Sequence, residues 1–446
     1  MDKAREIAML VLMDVHENDA YANVSLAREL KKSPDIKDID RRFATELVYG
    51  AVKAGDTLDW IIKKYSTKLV KKLSPIVRAA LRLGVYQLFF LDKVPPSAAV
   101  NEMVELVKKH EKRIGASKYV NAVLRTAVRE PERAKFPSAE DDDADSIALT
   151  MMHPRWLVKR WIGEFGVDET KKLCAFDNEP AVLSIRANTL KTSRNELMMI
   201  MENEGATVES SKWATEGILC TKHGNMDTMK SLADGLWQAQ DESSMMVAHI
   251  LEPKPGELVI DACSAPGGKT THIAAMMKND GRVIAADIYE AKLKTVEENA
   301  ARLGIDIVET INMDAREIGE EYEAMADRVL IDAPCSGLGV LRRRPDARWR
   351  KRLSEINKLP KLQSEILESA ARAVKAGGVI VYSTCTMNHA ENEDVVRAFL
   401  ARHDEFALEN AGQLLPIKKR DEEMIQLYPQ RDGVDGFFIA RMRRKV

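Results

Sequence analysis

Cys335, in DAPCSG, and Cys385, in YSTCT, each follow an apolar run of the kind that forms a buried strand: ADRVLIDAP and GGVIVYSTC. In an open α/β sheet, ligands sit beyond the carboxyl ends of the strands. Two strands ending there would bring both sulfurs, and Asp332 with them, toward one pocket. A thiolate can add to an electron-poor ring carbon and later depart, while a nearby carboxyl group holds a ring nitrogen as charge develops. Cys174 and Cys220 have no local motif and read as small buried hydrophobes. The five cysteines include no CxxC pair and none at metal spacing with a histidine, so neither a disulfide framework nor a zinc site is expected. A reducing, cytoplasmic setting follows.

The second cluster is DACSAPGGKT, from Asp261 to Thr270. Its Gly-Gly-Lys-Thr tail mimics a triphosphate loop, but the glycine required five positions before Gly268 is Cys263. GELVIDAC reads as a strand, Ala-Pro-Gly-Gly as a tight turn, THIAAMMK as a helix, and RVIAAD as a second strand ending at Asp287. A carboxylate there can accept hydrogen bonds from ribose hydroxyls. Because GxGxxG is missing, a dinucleotide fits poorly; a cofactor with a ribose and no phosphates fits better, and S-adenosylmethionine is the expected one. A methyl donor beside a thiolate suits carbon 5 of cytosine, which becomes nucleophilic only after a thiolate adds to carbon 6. Spacing leaves open which sulfur attacks.

These residues need a scaffold to position them. The chain of 446 residues is 45% hydrophobic and 30% charged, ordinary for a soluble globular protein of several domains. No apolar run is long enough for a membrane span, and MDKAREIAML is not a secretory signal. With a net charge of −2, nucleic-acid binding would require local basic patches. Residues 1–135 read as all-helical: Ala8, Val11, Leu12 and Val15 share one helical face, and Pro95-Pro96 interrupts the pattern. Residues 136–148 are acidic and aperiodic, an expected linker. Residues 149–250 read as a small α+β region, and 251–446 as alternating strands and helices with a parallel sheet. The helix KLQSEILESAARAVKAGG is expected to stop at Gly377-Gly378.

Together these motifs resemble the RNA 5-methylcytosine methyltransferases, specifically ribosomal-RNA enzymes of the RsmB/Sun type, across nearly the whole chain. The resemblance implies an α/β Rossmann-like S-adenosylmethionine-dependent catalytic domain, an all-α NusB-like RNA-binding domain at the N-terminus, and a small α+β middle subdomain. RRFATELVYGAVK and KYVNAVLR carry the NusB likeness. It places Cys263, Ser264, Ala265, Pro266, Gly267, Gly268 and Lys269 around the donor, Asp287 at the ribose, Asp314 near the adenine, and Asp332 between cofactor and base. By the same likeness Cys385 is the nucleophile and Cys335 assists product release. RANTLKT and QAQDESS are similar to segments before the catalytic domain in that family, and Arg186, Asn188 and Lys191 are RNA-contact candidates within the first.

Directly after DAPCSGLGV, residues Leu341–Leu353 hold seven basic residues, among them Arg342, Arg343, Arg344, Arg348 and Arg350, against the single acid Asp346. With Trp349 available to stack on a base, this run is expected to contact phosphate. The expected substrate is a cytosine in small-subunit ribosomal RNA, and a monomer without metal is expected to act on it. A transfer-RNA enzyme of the same chemistry and a non-catalytic RNA-binding assembly factor are the alternatives; intact Cys385, Asp332 and Pro-Gly-Gly speak against the latter.

Overall fold

The structure, a computed structural model, describes residues 2–138, 140–224 and 226–446, and divides into two compact units. The first comprises residues up to Glu179 together with Leu341–Arg350. Its helices are α1 (Lys3–Glu17), α2 (Ala22–Lys31), α3 (Asp38–Tyr65), α4 (Pro75–Phe90), α5 (Pro96–His110), α6 (Ala116–Arg129), α7 (Ala144–Thr150), α8 (Arg155–Phe165) and α9 (Val167–Asn178). Asp2 caps α1 by accepting from the Arg5 amide, and Ala8, Val11, Leu12 and Val15 all enter the core, as their spacing predicts. Helix α5 starts at Pro96, where a missing amide proton costs nothing. Gly55 breaks helical geometry inside α3 with φ of +43°, a region that favours glycine.

Compact packing extends the helical unit beyond the expected first region. Asp143 accepts from the amides of Asp145 and Ser146, so a helix begins inside the expected linker. The helical unit then continues to Glu179, well past residue 149.

The second unit contains two sheets. The smaller is antiparallel with order β2-β3-β1-β4, formed by β1 (Leu183–Ala187), β2 (Thr207–Ser210), β3 (Gly217–Lys222) and β4 (Trp237–Ala239). A capping box, Ser193 with Glu196, starts its helix Arg194–Asn203.

The larger sheet has eight strands: β5 (Leu258–Asp261), β6 (Arg282–Asp287), β7 (Val308–Asn312), β8 (Ala326–Asp332), β9 (Val374–Thr384), β10 (Phe406–Glu409), β11 (Met424–Leu427) and β12 (Phe437–Arg444). The order is β10-β12-β9-β8-β5-β6-β7, with β11 also on β12. Strands β5 to β9 pair in parallel, while β10, β11 and β12 are antiparallel additions, so the expected parallel sheet is mixed. Alternation explains the continuous apolar runs. Ile260, Ile284, Val329 and Ile380 enter one core with the helix Leu359–Ala373, whereas Val259, Val283, Leu330 and Val379 enter the other with the helix Glu242–Leu251. That first helix ends at Ala373, earlier than Gly377-Gly378 suggested, because Val374 already pairs with Ala326.

The chain runs from β5 outward through β6 and β7, then returns to place β8 on the other side of β5. This reversal opens a crevice at the carboxyl edge, the usual ligand position in such sheets. Asp261, Asp332 and Thr384 end three successive strands there.

Candidate active site

The turn after β5 carries the expected cofactor residues. Gly267 has φ of +95° and caps the helix Gly268–Met276; a Cβ there would stand 3.1 Å from the Val296 Cα. Asp261 is buried and accepts from the Thr270 hydroxyl at 2.7 Å, tying strand to helix, and burial pushes its carboxyl up to about 7. Lys269 does not wait for a phosphate. Its Nζ donates to Asp332 at 2.7 Å, and although burial opposes its charge, Asp332 raises its pKa, with the Cys385 sulfur adding to the effect. Asp287 ends β6 and accepts from the Tyr289 amide, beside the exposed Ile288 and Tyr289. Asp314 pairs with Arg316, whose hydrogen bonds hold its carboxyl below the ordinary range. Carboxylate acceptors beside a glycine turn, with the loop's lysine already neutralised, suit hydroxyls and a heterocycle rather than a phosphate chain. S-adenosylmethionine fits this set: the turn Cys263–Gly268 and Asp287 would hold it.

The two sulfurs meet. Cys335 Sγ lies 3.3 Å from Cys385 Sγ, and both side chains are partly accessible. Parallel register explains the meeting, since Asp332 pairs with Ser383 and each cysteine follows shortly after. Ser383 Oγ donates to Asp332 Oδ1 at 3.0 Å, so Asp332 is oriented from two sides. The hydrogen bond to Cys385, burial and the charges of Cys385, Glu391 and Asp332 together push the Cys335 thiol well above its ordinary value. Cys385 instead has the Lys269 ammonium among its electrostatic neighbours.

Burial corrects the RNA-contact expectation for Arg186 and Asn188, whereas Lys191 stays exposed. Arg186 is enclosed beneath the cofactor turn: it donates to Gly268 O at 2.6 Å, to Thr271 Oγ1 at 3.0 Å and to Gln240 Oε1. Burial draws its guanidinium down to about 9. Buried Asn188 donates to Gly235 O and Leu303 O, both at 2.9 Å. Lys191 donates to Asp234 O and Arg302 O. These residues brace the turn and its surroundings.

The basic run is likewise engaged inside the first unit. Arg348, fully buried, donates to Met152 O and Asn178 Oδ1 at 2.8 Å and to Asp177 O at 3.1 Å. Trp349 donates to Lys53 O at 3.1 Å and lies against Gly55, where a Cβ would come within 2.2 Å of the indole. Arg350 donates to Ala20 O and lies over the Tyr21 ring, and Arg342 lies over the Phe176 ring at 4.1 Å. Arg343 is half-buried; Arg344 is exposed and faces solvent.

Sequence spacing also missed two side-chain clusters. Glu391, fully buried, accepts from both thiol-bearing loops. Among the described residues, Glu216, His249 and His272 bring three ligand-type atoms within 4.8 Å of one another. Each imidazole lies about 3.0 Å from the Glu216 carboxylate, which also accepts from Thr215. In that triad both imidazoles meet the Glu216 carboxylate through Nε2, while the buried His272 Nδ1 has no hydrogen-bond partner. Among the described residues, no helix is long and apolar enough to cross a membrane.

A mixed Rossmann-like sheet with a glycine turn after its first strand, paired with two cysteines and an aspartate at one edge, defines an RNA cytosine-5 methyltransferase. Residues 248–443 match the 16S rRNA methyltransferase RsmB/F family, residues 2–129 the NusB family, and residues 153–227 the ferredoxin-like domain of RsmF/B-like methyltransferases. The chain belongs to the RsmB/F family. It is 40% identical to "Probable ribosomal RNA small subunit methyltransferase B" of Bacillus subtilis, over 99% of this chain and 98% of that one. It is 33% identical to "Ribosomal RNA small subunit methyltransferase B" of Pseudomonas syringae, over 98% and 96% of the two chains. Among solved structures, PH0851 superposes with a TM-score of 0.85 at 30% identity, covering 99% of both chains. NSun6 from Pyrococcus horikoshii, solved with SFG, gives a TM-score of 0.59 at 27% identity, over 65% of this chain and 98% of that one.

Proposed function

We propose that the protein methylates carbon 5 of a cytosine in small-subunit ribosomal RNA, with S-adenosylmethionine as donor and a covalent Cys385 adduct as intermediate. The observation that carries this reading is the 3.3 Å approach of Cys335 and Cys385 beside Asp332. SFG, an S-adenosylmethionine analogue, in the related NSun6 structure supports the cofactor, and the names of the relatives support the substrate.

When bound, S-adenosylmethionine supplies a methyl group on a positively charged sulfur. Cys385, as the thiolate, adds its electron pair to carbon 6, and the C5=C6 pair moves to carbon 5, which takes the methyl. As charge develops on ring nitrogen 3 that atom takes up a proton from solvent, and the Asp332 carboxylate accepts a hydrogen bond from the resulting N3–H. Release removes the carbon 5 proton to a base; the C–H pair re-forms C5=C6, and the C6–S pair leaves on Cys385. Cys335, in contact with that departing sulfur, assists this second half. A base that reaches the thiol must leave its stack, which is least costly in a single-stranded loop.

Cys385→Ala is expected to abolish methyl transfer while cofactor binding persists. Cys335→Ala is expected to accumulate a protein–RNA adduct, seen as a shifted band on a denaturing gel. Normal turnover by Cys335→Ala with trapping by Cys385→Ala would reverse the roles. Bisulfite sequencing of ribosomal RNA from cells with and without the protein names the nucleotide, and an unchanged pattern refutes the substrate.

A further inference from the structure

Glu391 lies in the turn His389–Glu391, six residues beyond Cys385, and has no exposed surface. Burying a carboxylate is costly unless its oxygens are fully hydrogen-bonded. Here Oε2 accepts from the Ser336 amide at 2.8 Å and from Gln363 Nε2 at 3.2 Å. Oε1 accepts from Ser336 Oγ at 2.5 Å and Asn388 Nδ2 at 2.8 Å. Ser336 immediately follows Cys335, Asn388 stands three residues after Cys385, and Gln363 also donates to Pro334 O. The Ser336 and Thr386 hydroxyls, one residue past each cysteine, meet at 2.8 Å. One carboxylate therefore gathers donors from the loop of each sulfur.

We propose that Glu391 is a positioning residue for the two-thiol reaction, locking the Cys335 loop to the Cys385 loop so that the second sulfur stands ready for adduct release. This inference rests on the covalent reading above. Its four donors come from the two loops and from Gln363, and Glu391 is among the groups that push the Cys335 thiol above its ordinary value. An amide cannot replace it, because an NH2 group cannot accept from Ser336.

Glu391→Gln is the direct test, in the full chain with an RNA fragment containing the methylated cytosine. Misplacement of a reacting group by about 1 Å costs on the order of 10²-fold. The variant is expected to turn over about 10²-fold more slowly, with S-adenosylmethionine affinity and melting temperature near wild type. Adduct should accumulate on a denaturing gel, as for Cys335→Ala. A purely architectural role predicts loss of cofactor binding and stability without trapped RNA, and that result overturns the inference, as does wild-type turnover. If Glu391→Gln does not fold, Ser336→Ala removes one donor from the Cys335 loop and should trap RNA to a smaller extent; no trapping there also refutes the role. The Cys335→Ala control separates the layers. If it traps RNA and neither Glu391→Gln nor Ser336→Ala does, only the Glu391 role falls. If Cys335→Ala fails to trap, the covalent reading falls and takes this one along.

Discussion

Arg348→Ala tests whether the basic run holds the helical unit together or grips RNA. The fully buried wild-type guanidinium makes three hydrogen bonds, to the part-buried Met152 O and Asn178 Oδ1 and to Asp177 O. Each acceptor stranded by truncation costs about 1–3 kcal/mol, and removing one partner from a buried charged contact typically costs about 3–5 kcal/mol. Burial raises the Asp177 carboxyl to about 7 against the opposing charge of Arg348, so loss of Arg348 also removes a counter-charge. We expect about 3–5 kcal/mol of destabilisation. At roughly 2–4 °C per kcal/mol for a unit of this size, the melting transition should fall by about 6–20 °C. Differential scanning calorimetry of the full chain reads this directly, and exposed Arg344→Ala should stay within about 0.5 kcal/mol of wild type. If Arg348→Ala melts like wild type yet binds RNA more weakly, with a shallower salt dependence, the run contacts phosphate and the structural assignment is wrong.

Two further outcomes follow from the cofactor turn. Arg186→Ala removes the donors to Gly268 O and Thr271, so S-adenosylmethionine binding measured by calorimetry should weaken by about 10-fold or more, at about 1.4 kcal/mol per decade; unchanged affinity would refute the brace. Asp261 is raised to about 7 in the folded chain, above its unfolded value of about 3.9. Its proton is therefore held more tightly in the native state, and the associated stability is complete below about pH 4 and lost as pH rises toward 7. The melting temperature of Asp261→Asn relative to wild type should accordingly climb across that window and level off above it; a flat difference would show that Asp261 is ionised throughout.

What was legible in the sequence was what short-range pattern controls. Apolar runs ending in DAPC and STC predict strand ends, and parallel register between Asp332 and Ser383 does the rest. The α1 face was legible because helical spacing sorts Ala8, Val11, Leu12 and Val15 to one side. Charge was misleading where burial overrode it. Arg348 reads as an exposed phosphate contact because guanidinium groups are seldom enclosed, and its acceptors lie about 170 residues or more away in the chain. Arg186 was hidden for the same reason, its acceptor Gly268 being 82 residues on. Glu391 sits in NHAENED, a polar tract with no apolar period to mark one acid as internal. Asp143 was a fair signal overlooked, an N-cap in a stretch of acids that otherwise resembles a linker.

Leu341–Arg350 is made long after Glu179, yet it completes the first unit. During synthesis, α1 to α9 emerge with the slot for Arg348 and Trp349 unfilled until the ribosome has passed Cys335. A fragment cut at residue 179 would retain α1 to α9 and still lack its keystone, the short helix Ala347–Arg350, so an N-terminal piece freed by limited proteolysis should melt below the intact chain.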